Sequence, residues 1–438
     1  MIQTIDLRGR ALSPVELEAV MPRARIDVAV AAAAAAALVA EVRSRGAAAL
    51  REQAERFDGG APASVRVAPG DIAAAVAALD PAVREALQEA IRRVRAATAA
   101  QVPEERITEL GPGARVRQRW QPVARVGLYV PGGKAVYPSS VVMNVVPAQS
   151  AGVGSIALAS PPQREFGGAV HPTILAAAGL LGVEEVYAMG GAGAIGALAY
   201  GVPELGIEPV DVITGPGNVY VAAAKRIVKG QVGIDAEAGP TEILVIADAH
   251  ADAGLVAADL VSQAEHDENA AAILVTDSPG LALAVAEDLA GRVGRTRHAD
   301  RVRLSLGSQQ SAIVLVDDLA AAVAFSNAYG PEHLEIQTAD PEATLRGITS
   351  AGAIFLGADS PVSLGDYLAG SNHVLPTGGQ ARHAAGLGAH AFLRPQQIVE
   401  YDAAALAEVR DRIVALAAAE DLPAHGEAVL ERFADRAT

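Results

Sequence analysis

Apolar and polar positions change their period along the chain, and each change predicts a different element. Over residues 26–99 the apolar residues recur at helical spacing. The alanine-rich run 28–40, flanked by Asp27 and Glu41, is too short to span a bilayer. It predicts the first half of a buried or amphipathic helix ending near Arg45-Gly46. Asp80-Pro81 supplies a cap followed by proline at the first helical position, so a helix is predicted over 82–97. Residues 1–25 read as a short arm with its own brief strand or helix.

The pattern then turns to alternating strands and helices. Strands are predicted at 116–120, 125–130, 154–159, 185–189, 210–214 and 241–247, with helices at 139–151, 171–179, 192–200 and 218–229. A second run follows, with helices at 253–268, 279–292 and 319–329 and strands at 271–276, 311–316, 335–337 and 352–356. Residues 365–388 read as a loop, and 395–436 as a helical segment interrupted at Pro423. Strand–helix alternation implies parallel sheets covered on both faces. The fold class is therefore α/β, with two incomplete Rossmann-like doubly wound domains plus small N-terminal and C-terminal extensions. A small-molecule site is expected at the strand carboxyl ends or between the domains.

Composition sharpens this picture. The chain has 438 residues, 51% of them hydrophobic but only 3% aromatic, so alanine and branched aliphatic residues must build the core. A formal charge of −16 without a basic cluster argues against nucleic acid. No membrane segment or signal core is apparent, so a cytoplasmic protein is expected. Cysteine is absent, which excludes disulfides, thiolate metal sites and a thiol nucleophile.

Four polar clusters could carry chemistry. Gln263 and His266 are spaced to share a helix face; a solvated helix end would look the same. Glu332-His333 sit at a loop-to-strand junction, where an acid–base pair or a plain surface turn both fit. Asp366 and His373 lie in a glycine-rich loop, as ligands or as a cap and a polar neighbour. Glu420 and His425 flank Pro423, which re-aims the chain or only breaks a helix. Together the clusters offer Gln, His, Asp and His without sulfur, a set suited to zinc. Three glycine turns, at 130–133, 191–196 and 215–218, could present amides to a pyrophosphate or could be structural turns. Asp211, the apparent acidic partner of the second, starts a strand instead of ending one.

The stretches VGLYVPGG (126–133), YPSSVVMNVVPAQSAG (137–152), TGPGNVYVAAAKR (214–226), AGPTEILVIAD (238–248), SQAEHD (262–267), GPEHLEI (330–336), GDYLAGSNHVLPTGG (365–379) and AEDLPAHGEAV (419–429) occur in order. Together they resemble the histidinol dehydrogenase family across the whole chain. The resemblance implies oxidation of L-histidinol to L-histidine through histidinal, with two NAD and one Zn²⁺ per subunit. It implies that Gln263, His266, Asp366 and His425 hold zinc and also meet the substrate. Glu332 and His333 correspond to the catalytic pair, with His333 also touching substrate. Thr241, His373 and Glu420 correspond to substrate contacts, and Tyr129 and Asn218 to NAD contacts. Where the family reads GGAQAI, this chain has Gly193 in place of the glutamine that contacts the cofactor, so weaker NAD binding is expected. The resemblance also implies a homodimer in which the C-terminal segment completes the partner's site. The corresponding division is an arm at 1–25, a metal and catalytic domain at 26–128 with 244–387, an NAD domain at 129–243, and a helical dimerisation segment at 388–438.

With no cysteine, a thiohemiacetal route for the aldehyde-to-acid step is closed, and a hydrated aldehyde is the expected intermediate. His333 is the expected shared base and Glu332 the group that polarises water. A relative within the same superfamily that oxidises another alcohol, such as a sulfonated diol, a zinc hydrolase using the same ligands and Glu332, and a non-catalytic metal-binding scaffold are open alternatives.

Overall fold

The computed structural model describes residues 2–10, 12–24, 28–58, 60–132, 136–237 and 239–434. Along the chain the strands are β1 (Gln3–Asp6), β2 (Arg106–Gly111), β3 (Ala114–Pro122), β4 (Arg125–Tyr129), β5 (Ser155–Ser160), β6 (Val186–Ala188), β7 (Val212–Thr214), β8 (Gly233–Ile234), β9 (Glu242–Ala247), β10 (Ala271–Thr276), β11 (Ala312–Leu315), β12 (His333–Gln337), β13 (Ala353–Leu356) and β14 (Leu393–Tyr401). They divide between two compact units, Met1–Gln101 with Val123–Phe392, and Val102–Pro122 with Leu393–Thr438.

The first unit holds two parallel sheets with helices between the strands, as the alternation predicts. One is six-stranded in the order β1-β11-β10-β9-β12-β13, the other five-stranded in the order β6-β5-β4-β7-β8. β9 and β10 are buried at every position and, apart from Glu242 and Thr276 at their ends, apolar without alternation, as suits central parallel strands covered on both faces. The alanine-rich helix Val28–Arg45 packs Ala31, Ala35, Val39 and Val42 into the core around the helix Gly191–Tyr200 and the five-stranded sheet. Close approach explains the small residues. A Cβ on Gly196 would lie 3.3 Å from the Val39 Cα.

Several expectations are corrected here. The Val28–Arg45 helix and β4 belong with the five-stranded sheet, although 26–128 was expected to accompany the catalytic one. Apolar periodicity identifies the helix but not the face it covers. β9 lies wholly in the six-stranded sheet, so the expected edge at 243/244 falls inside a strand. The helix predicted over 253–268 ends at Ala264, and a short helix, Val362–Tyr367, reaches into the expected loop.

The second unit is an antiparallel sheet, β14-β3-β2, followed by the helices Ala403–Ala419 and Pro423–Leu430. Residues 395–401, the start of the expected helical segment, are strand instead. They form β14 because β3 offers a ladder with cross-strand pairs, Arg115 to Glu400 at 2.8 Å and Arg119 to Gln396 at 2.9 Å. That long-range pairing overrides local helical spacing.

Candidate active site

Three of the four polar clusters converge at the amino ends of β9 and β12, not at the carboxyl ends expected of an open parallel sheet. Gly330 ends the helix Leu319–Tyr329 with φ of 60°, Pro331 stops any continuation, and Glu332-His333 enter β12. Both are buried, Glu332 at 6% exposure and His333 at 4%. The His333 Nδ1–H donates to the Glu242 carbonyl at 3.0 Å. That bond fixes the tautomer and leaves Nε2 with a free lone pair. Burial pushes the imidazole pKa down, so the ring is neutral near pH 7. Glu332 Oε2 accepts from the Thr241 hydroxyl at 2.6 Å and from the Glu242 backbone N–H at 2.8 Å. Burial pushes its carboxyl up to about 8, and the Asp366 charge adds to this.

Thr241 links this pair to the glutamine. Gln263 Nε2 donates to Thr241 Oγ1 at 2.6 Å, while Gln263 Oε1 is buried without a hydrogen-bond partner. An orphaned buried carbonyl is costly and rare unless something absent satisfies it. His266 lies just past the helix cap, so it does not share a helical face with Gln263. The turn still brings it in, with Nε2 3.9 Å from Asp366 Oδ2. Asp366 comes from the last turn of Val362–Tyr367, a helix packed so tightly that a Cβ on Gly365 would meet the Phe355 ring at 2.5 Å. An oxygen, a nitrogen and a carboxylate are donors that suit a divalent ion such as zinc. Among the described residues no three histidine, cysteine or acidic side chains form a metal group by themselves. Any site here needs the glutamine oxygen and a further ligand.

His373 is engaged within the chain. Its Nδ1–H donates to the Asp366 carbonyl at 3.0 Å, and Nε2 lies 2.9 Å from Ser140 Oγ. Ser140 belongs to the helix Pro138–Ser150, which follows β4. The two sheets are therefore stitched together beside Glu332 and His333.

Three supporting residues escaped the sequence reading. Glu242 supplies both backbone contacts to the pair, and its own buried carboxyl lies 3.3 Å from the Arg23 guanidinium. Glu335 accepts from the Val362 N–H at 3.0 Å and so caps the helix that presents Asp366. Burial and the neighbouring Asp259 push the Glu335 carboxyl up to about 8. Ser140 was visible inside YPSSVV but carried no chemical signal of its own.

The five-stranded sheet presents its carboxyl edge with glycine turns. Asn218 caps the helix Val219–Val228, accepting from Tyr220 N at 3.0 Å and Val221 N at 3.2 Å. Gly215, with φ of 116°, crosses so close to β4 that a Cβ there would sit 1.9 Å from the Tyr129 carbonyl. Buried Lys225 pairs with Asp235 and donates to the Gly215 carbonyl at 3.1 Å, which braces the turn. The Tyr129 hydroxyl accepts from Gly191 N at 3.1 Å. Tyr129, Gly191 and the 215–218 turn thus line one edge. Gly193 is buried, and a Cβ on it would lie 2.2 Å from Gln53 Oε1. The fingerprint glycines Gly193 and Gly196 therefore serve packing by N-terminal helices. Gly133, of the first glycine turn, lies outside the described residues.

Glu420 and His425 lie in the second unit. Both are exposed, on either side of the corner between its two helices. Asp421 turns that corner with φ of 56°, and Gly426 lets the second helix approach Val414.

Residues 21–433 match the family model described as histidinol dehydrogenase. A histidinol dehydrogenase from Leifsonia xyli subsp. xyli is 71% identical over 436 residues, covering 100% of both chains. One from Mycolicibacterium smegmatis is 58% identical over 432 residues, covering 98% of this chain and 97% of its own. The crystal structure of a histidinol dehydrogenase from Elizabethkingia anophelis superposes with a TM-score of 0.92 at 33% identity, covering 99% of this chain and 98% of that one.

Proposed function

The chain belongs to the histidinol dehydrogenase family, and on that premise we propose that it converts L-histidinol to L-histidine through histidinal with two NAD and one zinc per subunit. It is an NAD-using oxidoreductase of histidine biosynthesis. The observation that carries the finer reading is the neutral, tautomer-fixed His333 beside Glu332, with the orphaned Gln263 oxygen linked to that pair through Thr241.

Gln263, His266, Asp366 and His425 of the partner subunit would hold the zinc. When bound, zinc supplies positive charge that anchors the substrate's imidazole and amine nitrogens, and NAD supplies the hydride acceptor. His333 Nε2 removes the hydroxyl proton as the carbinol hydrogen departs as hydride. Glu332 as carboxylate takes a proton from the water that attacks the aldehyde. His333 returns its proton to the aldehyde oxygen as the gem-diol forms, and is then free to accept the gem-diol hydroxyl proton in the second oxidation. Glu420 and His373 help to hold the substrate, Thr241 orients Glu332, and Tyr129 and Asn218 bind NAD. Two such sites require a homodimer. No described helix is long and apolar enough to cross a membrane. The proposed location, the cytoplasm, follows from the family reading.

Wild type should yield two NADH per histidinol consumed, and a ratio of one would reject the four-electron reading. Glu332→Gln should slow aldehyde oxidation more than alcohol oxidation and pull the ratio toward one as aldehyde accumulates. Equal loss in both steps would contradict the water role. The carboxyl is held above its ordinary range and must be ionised to act, so the active fraction grows as pH rises through about 8. Aldehyde oxidation should accelerate over that window in wild type, and Glu332→Gln should flatten the rise.

The cofactor site offers a second test. Gly193→Gln restores an amide, and one neutral hydrogen bond is worth about 0.5–1.5 kcal/mol. NAD affinity should rise by up to roughly tenfold once the Gln53 side chain swings aside. Titration of NAD against wild type, Gly193→Gln and Gly193→Gln with Gln53→Ala should show the full gain in the double variant. Unchanged or poorer affinity in both would count against this account of Gly193.

A further inference from the structure

Dinucleotide-binding folds place an acidic residue at the carboxyl end of the strand beside the first one, where it accepts hydrogen bonds from a ribose diol. In this sheet β4 comes first and β5 lies next to it. β5 ends at Ser160, followed by Pro161-Pro162, so the strand brings no acid of its own. Asp211 cannot serve. Its Oδ2 accepts from Ala124 N at 2.9 Å and Arg125 N at 3.0 Å, at the amino end of β4 and thus the wrong edge.

A carboxylate reaches the right edge from elsewhere. Asp58 closes the wide π turn Ala54–Asp58 that follows the helix Ala47–Gln53. A Cβ on Gly190 would lie 2.9 Å from Asp58 Oδ2, 3.0 Å from Oδ1 and 2.9 Å from Pro161 Cβ. Both oxygens therefore lie over the glycine at the end of β6, next to the proline that ends β5. Any residue but glycine at 190 would fill this cradle. Gly191, the next residue, donates to the Tyr129 hydroxyl. Asp58 makes no hydrogen bond or ion pair with the described residues. Burial without a partner pushes its carboxyl up to about 6, so above neutral pH it is a half-buried, unpaired charge.

We infer that Asp58 is the acceptor for a ribose diol of the dinucleotide, supplied in trans to the strand order by the N-terminal helical segment, and that it selects NAD over NADP. The chemistry follows from the group. A carboxylate accepts from two vicinal hydroxyls, which would satisfy its empty acceptor positions. A 2′-phosphate at the same place removes one donor and sets negative charge against negative charge. This inference rests on the proposed placement of NAD over the five-stranded sheet.

The test uses the purified, zinc-supplemented enzyme and the variants Asp58→Asn and Asp58→Ser, with Asn218→Ala as a separate probe of the site. KM for NAD should rise about tenfold in both Asp58 variants while KM for histidinol holds, and the preference for NAD over NADP should fall by at least as much. ADP-ribose, which carries the diols without the nicotinamide, should lose affinity in parallel by calorimetry. If Asn218→Ala weakens NAD but both Asp58 variants keep wild-type KM, cofactor preference and ADP-ribose affinity, Asp58 has no such role. If none of the three variants alters NAD binding, the cofactor does not lie on this edge, and the inference falls together with that placement.

Discussion

His333→Asn should lower the rate of alcohol oxidation and of aldehyde oxidation alike, by about 10²–10⁴-fold each. The geometry demands the double effect. Nδ1–H is committed to the Glu242 carbonyl, so Nε2 is the one ring position able to take a proton. Burial keeps the ring neutral, and therefore basic, at working pH. Asparagine can reproduce the hydrogen bond to Glu242 but offers no basic nitrogen. Histidinol and NAD should still bind, because neither the Gln263–Thr241–Glu332 chain nor the glycine turns depend on the imidazole. Single-turnover measurements of NADH from histidinol and, separately, from histidinal isolate the two steps. A normal rate in either step would remove His333 as the shared base.

Much of this arrangement was legible in the sequence, for physical reasons that differ by residue. Apart from Glu242 and Thr276 at their ends, β9 and β10 are apolar without alternation, the pattern of a strand covered on both faces. Asp80 and Asn218 announced helix starts because capping is chemistry local to a few residues. β14 was missed because its ladder is made with β3, hundreds of positions away. Glu242 was missed because its work is done by backbone atoms, which carry no side-chain signature. Glu335 acts by capping a short helix that glycine-rich composition disguised as a loop. Asp58 lay outside every glycine turn, and only the fold brings it to Gly190. The residues that meet at the site were named from several separate stretches, but their position at the amino ends of β9 and β12 was not. Sequence alternation specifies a parallel sheet without saying which edge is used.

Removal of divalent metal should have the other large effect. Dialysis against a chelator is expected to stop turnover by about 10³-fold or more and to weaken histidinol binding, with recovery on adding Zn²⁺. The reason lies in how these donors are placed. Gln263 Oε1 is buried without a partner, and Asp366 faces His266 Nε2 at 3.9 Å with its charge also felt at Glu332. A cation among these groups relieves the orphaned oxygen and the carboxylate charge together, whereas its loss leaves both uncompensated in a buried place. Good orientation of a reacting carbon can lower a barrier by up to roughly 7–11 kcal/mol, so a positioning role is large enough to account for the loss. Asp366→Ala should behave like chelation even with Zn²⁺ supplied, showing poor zinc retention and poor histidinol binding. That pattern separates it from His333→Asn, which should retain zinc and bind substrate yet fail in proton transfer. Full activity in rigorously metal-free enzyme, or an Asp366→Ala variant that holds zinc and histidinol as wild type does, would overturn the assignment of these ligands.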